Sequence, residues 1–125
     1  MKAIIITGSR EWTDQEPIRA VLLNALLSCE CLIVVHGACE GADMSAEFFC
    51  REMGIRSLLM PAKWKRDGKQ AGPLRNSEMI NVAHSLAFCG YDVEVHAFPM
   101  PNSKGTWDLV RKSEDAGFKV TVHKP

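Results

Sequence analysis

The sequence has no apolar run approaching the ~20 residues that a membrane-spanning helix needs. It has no excess of either charge: lysine and arginine number fifteen and aspartate and glutamate fifteen, across 125 residues. That balance argues against the broad basic field with which proteins hold long nucleic acid. The five cysteines are odd in number and lack CxxC spacing, which argues against a disulfide framework or a paired zinc site. No repeat, low-complexity tract or linker marks a second domain. The opening MKAIIITGSR is too short and ends too early for a secretory signal. These absences predict one cytoplasmic domain over residues 1–125, with no membrane partner and a core that needs no staples.

What is present is an alternation of strand-like and helix-like segments. KAIIIT (2–7) and CLIVVH (31–36) are apolar runs suited to strands buried on both faces, and IRSLLM (55–60) and SLAFC (85–89) read as a third and a fourth strand. Cys31 and Cys89 then behave as small hydrophobes inside two of them. Asp14 is a good N-cap for a helix carrying Ile18, Val21, Leu22, Ala25 and Leu26 inward. A second helix runs from Ala42 through Met53, with Gly54 placed to end it. PAKWKRDGKQAGPLRN reads as a long loop, followed by a short helix through Met79, Ile80 and Ala83. Between Gly90 and Phe98, Val93, Val95 and Ala97 alternate with Glu94 and His96, which predicts a half-exposed arm or hairpin. FKVTV (118–122) is the last strand. The fold class is therefore α/β: a Rossmann-like doubly wound domain, its sheet mainly parallel and its helices on both faces. Ligands of such sheets bind beyond the carboxyl ends of the strands.

The loops at 8–13, 37–41, 61–76 and 99–106 all fall at that end. PNSKGTWD (101–108) reads as a phosphate loop entering a helix: Gly105 admits a close ligand, and Thr106 caps a helix N-terminus that favours anions. Ser9 and Arg10 contact a ligand or cap their turn. Gly37 and Gly41 approach phosphate or sugar, or serve only a tight strand-to-helix turn. Asp43 holds a sugar or complements its helix dipole. His36 touches ligand or is a hydrogen-bonded structural imidazole; Cys39 lies close, but no second ligand pair makes a metal site. Trp64 is a base-stacking lid or an anchor for its loop. Arg75 clamps a phosphate, and Asn76 orients a ribose hydroxyl or base edge. Trp12 and Trp107 are assigned to packing.

TGSR (7–10), HGACEGAD (36–43), PAKW (61–64), AGPLRN (72–76) and KGTWD (104–108) occur in the order of the SLOG superfamily, and the chain resembles its small bacterial and phage branch. That group joins the DprA/Smf proteins to the "Lonely guy" (LOG) phosphoribohydrolases. The resemblance implies a Rossmann-like domain that binds a nucleotide or nucleotide-derived small molecule, with no further cofactor. The LOG glycine-serine loop resembles Gly8 and Ser9, and the catalytic arginine of the LOG arginine-lysine pair corresponds to Arg75, beside Asn76. The LOG PGGxGTxxE loop aligns with PNSKGTWDL, placing Asn102 and Ser103 at two glycines and Leu109 at the catalytic glutamate. Asp108 is the neighbouring carboxylate, about 100° away around the helix. Three functions follow: a nucleotide sensor or accessory protein, a phosphoribohydrolase using Arg75 with Asp108, or a DprA-like single-strand binder. LOG-type relatives also imply a homodimer, for which apolar helix faces and the 90–98 arm are candidate surfaces.

Overall fold

Strand β1 (Lys2–Gly8) is buried along Ala3–Thr7 because it lies at the middle of a sheet covered on both faces. The computed structural model describes residues 1–125. Its other elements are α1 (Glu16–Ser28), β2 (Leu32–His36), α2 (Ala42–Met53), β3 (Arg56–Leu59), α3 (Trp64–Asp67), a 3-10 turn at Gly68–Gln70, α4 (Ala71–Phe88), β4 (Asp92–Phe98), α5 (Lys104–Asp115) and β5 (Lys119–Val122). The five strands are ordered β3-β2-β1-β4-β5, and every neighbouring pair is parallel. The fold is therefore α/β and Rossmann-like.

Two cores lie on opposite faces of the sheet. On one, Ile4, Ile6 and Val34 meet Ile18 and Leu22 of α1 and Ala46 and Phe49 of α2. On the other, Ile5, Val35 and Val95 meet Met79 and Ala83 of α4 and Leu109 of α5. The strict alternation of Ile4 to Ile6 between these cores explains the unbroken apolar run. Such a strand has no solvent side on which to place a polar residue.

The second half of the chain departs from the sequence reading in three places. SLAFC is not a strand but the last turns of α4, an 18-residue helix. Met79, Ala83 and Leu86 follow helical spacing onto the second core, Phe88 points outward at 93% exposure, and Cys89 is exposed. Gly90, with φ of 97°, stops the helix. The 90–98 segment is not an arm. It is β4, paired with β1 from Lys2–Asp92 to Gly8–Phe98, and it is not available as a protruding dimer surface. Its alternation arises because Val93 and Val95 enter a core while Glu94 pairs with Lys2 at 2.8 Å and His96 stacks on His123. The 61–76 loop, finally, is mostly helical. Pro73 is tolerated at the third position of α4, where no intrahelical donor is needed.

The chain leaves β1 toward β2 and β3 and then returns across the sheet to β4, on the other side of β1. Their carboxyl ends therefore bound a crevice at the point where strand order reverses. α5 begins at Lys104, two residues before the expected Thr106, with Ser103 at its N-cap.

Leu109 is fully buried in the second core. Leu109→Glu is expected to lower the unfolding free energy by more than about 3 kcal/mol, because an unpaired carboxylate would replace packed methyls. Urea denaturation at pH 7 measures this. A variant as stable as the parent would show that the side chain can leave the core.

Candidate functional site

Ser9, the first residue beyond β1, organises the crevice through its backbone. Its N–H donates to the Phe98 carbonyl at 3.0 Å, and its carbonyl accepts from Trp12 and Ala42, each at 3.3 Å. One residue thus ties the ends of β1 and β4 to the start of α2. Gly41, the N-cap of α2, has φ of 79°. A side chain there would run into the Ser9 carbonyl, so glycine is required by this junction. The Ser9 hydroxyl accepts the Glu11 amide at 3.0 Å and so caps its own turn while facing the crevice.

The His36–Cys39 turn is built around two buried carboxylates of α2. Asp43 Oδ2 accepts the Gly37 amide at 3.1 Å and the Cys39 amide at 3.3 Å. His36 Nδ1 accepts the Ala38 amide at 3.0 Å, so Nε2 carries the proton and donates to Glu47 Oε1 at 2.9 Å. Glu47 Oε2 also accepts from Arg51 at 2.8 Å. Burial would raise the Glu47 carboxyl, but its hydrogen bonds from His36, Ser57 and Arg51 outweigh this and hold it at about 2. Asp43 behaves oppositely. Burial raises it, and the neighbouring His36, the two amides and Arg75 offset that only in part, leaving it at about 6. Its Oδ1 is buried with no protein partner.

Arg75 spans the crevice floor. Nη1 donates to the Gly37 carbonyl at 2.8 Å and to the Met60 carbonyl at 3.2 Å, while Nε donates to Asn76 Oδ1 at 2.9 Å. A side chain on Gly37 would collide with this guanidinium. Only Nη2, 3.9 Å from Cys39 Sγ, remains for anything else. Asn76 Nδ2 donates to the Gly105 carbonyl at 3.1 Å and to Asp108 Oδ2 at 3.0 Å. Arg75 and Asn76 therefore join β2, β3, α4 and α5 into one rim.

These elements enclose a cavity of about 310 Å³, within the range of small-molecule sites. Of the expected residues, Gly8, Ser9, Arg10, Asp43, Trp64, Arg75, Asn76, Gly105 and Thr106 line it. His36 is sealed beneath the turn. Gly37 borders a shallower hollow beside Arg10 and Trp64, and Gly41 packs on Ser9. Asp108 lies outside the cavity, held by Arg111 at 2.8 Å and Lys112 at 2.9 Å. Cys39, Asn102 and Ser103 also line it. Glu47 orients His36 and was not anticipated, although its spacing of four from Asp43 puts both on one helix face. Trp107, assigned to packing, is 44% exposed. No cluster of three His, Cys, Asp or Glu side chains is placed to hold a metal ion. No helix is long and apolar enough to cross a membrane.

Residues 2–66 match the family described as YAcAr: YspA, cpYpsA-related SLOG family. The Gene 61 protein of Mycobacterium phage D29 is 37% identical over 126 residues, covering 96% of this chain and 94% of the relative. The X-ray structure of DNA processing protein A (DprA) from Streptococcus pneumoniae is similar in fold, with a TM-score of 0.55 at 16% identity. That likeness covers 97% of this chain, which spans 58% of the length of the DprA chain.

Because Asp43 is raised from 3.8 to about 6, its protonated form stabilises the fold below pH 4. That contribution is lost as pH rises through 6. Asp43→Asn cannot ionise. Relative to the parent it is expected to gain roughly 2–3 kcal/mol between pH 4 and pH 7.5, at ~1.4 kcal/mol per pKa unit. Denaturant melts of both proteins across this range measure the difference. A difference independent of pH would mean that Asp43 titrates as an ordinary carboxylate.

Proposed function

We propose that this chain, which belongs to the YspA, cpYpsA-related SLOG family, binds a nucleotide or nucleotide-derived small molecule in the crevice between β1 and β4. The observation that carries this reading is Asp43: a carboxylate 4% exposed, lining the cavity, with one oxygen lacking any protein donor. A buried acceptor of this kind calls for a donor from a ligand, and a ribose hydroxyl supplies one. The other half of the complementarity is the start of α5. Its unsatisfied N–H groups and partial positive charge suit a phosphate, and Gly105 leaves open space before them.

Arg10 is the cation best able to follow such a ligand. It is exposed, lines the cavity, and lies 5.9 Å from the Trp64 ring centroid. Arg75 contributes mainly through Nη2, because its other donors hold backbone carbonyls. Trp64, with its indole half exposed, offers a stacking face for a base.

Glycosidic hydrolysis by Arg75 with Asp108 has less support. Asp108 is neutralised by Arg111 and Lys112 and lies outside the cavity. Asp43 is the carboxylate inside it with a value near neutrality, which suits general acid or base work. Release of free base from nucleoside monophosphates that disappears in Asp43→Asn and persists in Asp108→Asn would favour catalysis over binding.

Nucleoside 5′-monophosphates are expected to raise the melting temperature of the parent and to leave that of Gly105→Val unchanged. The added side chain occupies the open approach to α5 without meeting another atom, so the unliganded variant should stay within about 1 kcal/mol of the parent. A normal ligand-induced shift in Gly105→Val would move the phosphate elsewhere.

A further inference from the structure

The crevice continues outward past Gly105 into a second groove of about 740 Å³. Trp64, Gly72, Asn102, Ser103 and Gly105 line both, so the two spaces share a wall. Trp107 stands at the outer end, on the side of α5 roughly opposite Leu109 and at the edge of the buried face that includes Val110. Those two residues are buried while the Trp107 indole is 44% exposed. Trp64, at the junction, is 49% exposed. Two large aromatic faces are thus presented to solvent along one continuous trough. The exposed part of the Trp107 indole leaves π-surface available for stacking.

The charge of this groove complements its aromatics. Lys69, Lys104 and Arg111 line it, with Asp108 as its one acidic residue. Asp108 is already paired with Arg111 at 2.8 Å and with Lys112 at 2.9 Å. Lys69 and Lys104 are exposed and make no ion pair, leaving two cations beside the path between the indoles.

We infer that the occupant is not a lone nucleotide but two nucleosides joined through phosphate: one in the crevice against Trp64, the second stacked on Trp107, with the linking phosphate near Lys104. This rests on the nucleotide reading of the crevice and extends it outward. Alternating aromatic faces and cations are the means by which proteins hold successive unpaired bases. Such chemistry occurs in a free dinucleotide and at the end of a single strand.

Calorimetry at fixed salt distinguishes the outcomes. AMP, GMP, CMP and UMP are compared with the matching 5′-phosphorylated homodinucleotides, and the best binder with its 12-mer. The parent is expected to bind at least one dinucleotide tenfold or more tightly than its monophosphate. Trp107→Ala should weaken that dinucleotide about 5- to 100-fold, the range of one stacked base, and leave the monophosphate unchanged. Trp107→Phe should keep most of the affinity. A 12-mer binding no better than the dinucleotide marks a free dinucleotide as the ligand, and tighter binding marks a strand end. Monophosphate binding with no gain from the second nucleoside would overturn the groove and leave the crevice reading intact. So would equal losses for both ligands in Trp107→Ala. No binding of either class by the parent would overturn both readings.

Discussion

The carboxyl end of the sheet is held by the Arg75 guanidinium. Strands β2 and β3 end on backbone carbonyls to which no neighbouring strand donates, and Arg75 satisfies those of Gly37 and Met60 together. A guanidinium is suited to this because its planar fork stays charged and presents several donors in fixed directions. It approaches so closely that a side chain at Gly37 would displace it. Its Nε then fixes the Asn76 amide, whose own donors reach the Gly105 carbonyl and Asp108. The position of α5, and with it the proposed phosphate site, depends on this chain of contacts. An arginine placed to clamp a phosphate is here chiefly a strut that positions the groups around the cavity.

Asp43 and Glu47 show how desolvation and donor supply together set the charge of a carboxylate inside the fold. They lie one turn apart on α2 and each is 4% exposed, yet their carboxyls move in opposite directions. Glu47 has donors on both oxygens, and its ionised form is compensated. Asp43 has two backbone donors on Oδ2 and none on Oδ1. Completing the Asp43 shell would stabilise the fold near pH 7, and the fold leaves it incomplete at a residue that lines the cavity. Uncompensated polarity of this kind is concentrated where a ligand supplies the missing partner.

How well each element could be read from sequence follows from how local its cause is. The unbroken run of β1 and the helical spacing of Ile18, Leu22 and Ala25 report burial directly, and both stand in the structure. SLAFC was misleading because four apolar residues in a row fit a buried strand and a helix end equally. The deciding feature was its phase with Met79 and Ala83 upstream. Residues 92–98 looked half exposed because Glu94 and His96 are polar. Their polarity is met by Lys2 and His123, residues distant in the chain, so a central strand resembled an edge. Most of the cavity's lining residues were visible as glycine turns at strand ends, because parallel topology brings such turns together. The role of Arg75 was hidden for the opposite reason: its acceptors lie 38 and 15 residues away, and no local pattern marks a carbonyl left over by a strand.

The orientation of α5 decides where the Asp108 carboxylate can reach. Leu109, at the position of the LOG glutamate, is fully buried with Val110 and Ser113 close to it in burial, and these residues fix the rotation of the helix. Asp108 consequently points toward Asn76, Arg111 and Lys112, all of which favour its ionised form and hold it at the rim. Bringing its carboxylate to the place of residue 109 needs a turn of about 100°. That turn would expose Leu109 and break the Asn76 link that positions the Gly105 carbonyl. Burial of one leucine side chain contributes about 1.5–3 kcal/mol, and the broken hydrogen bonds add to the cost. The helix is thus locked in the rotation that offers its N-terminus to an anion and withholds a carboxylate from the sugar. That rotation counts against cleavage through Asp108 and supports the binding reading proposed above.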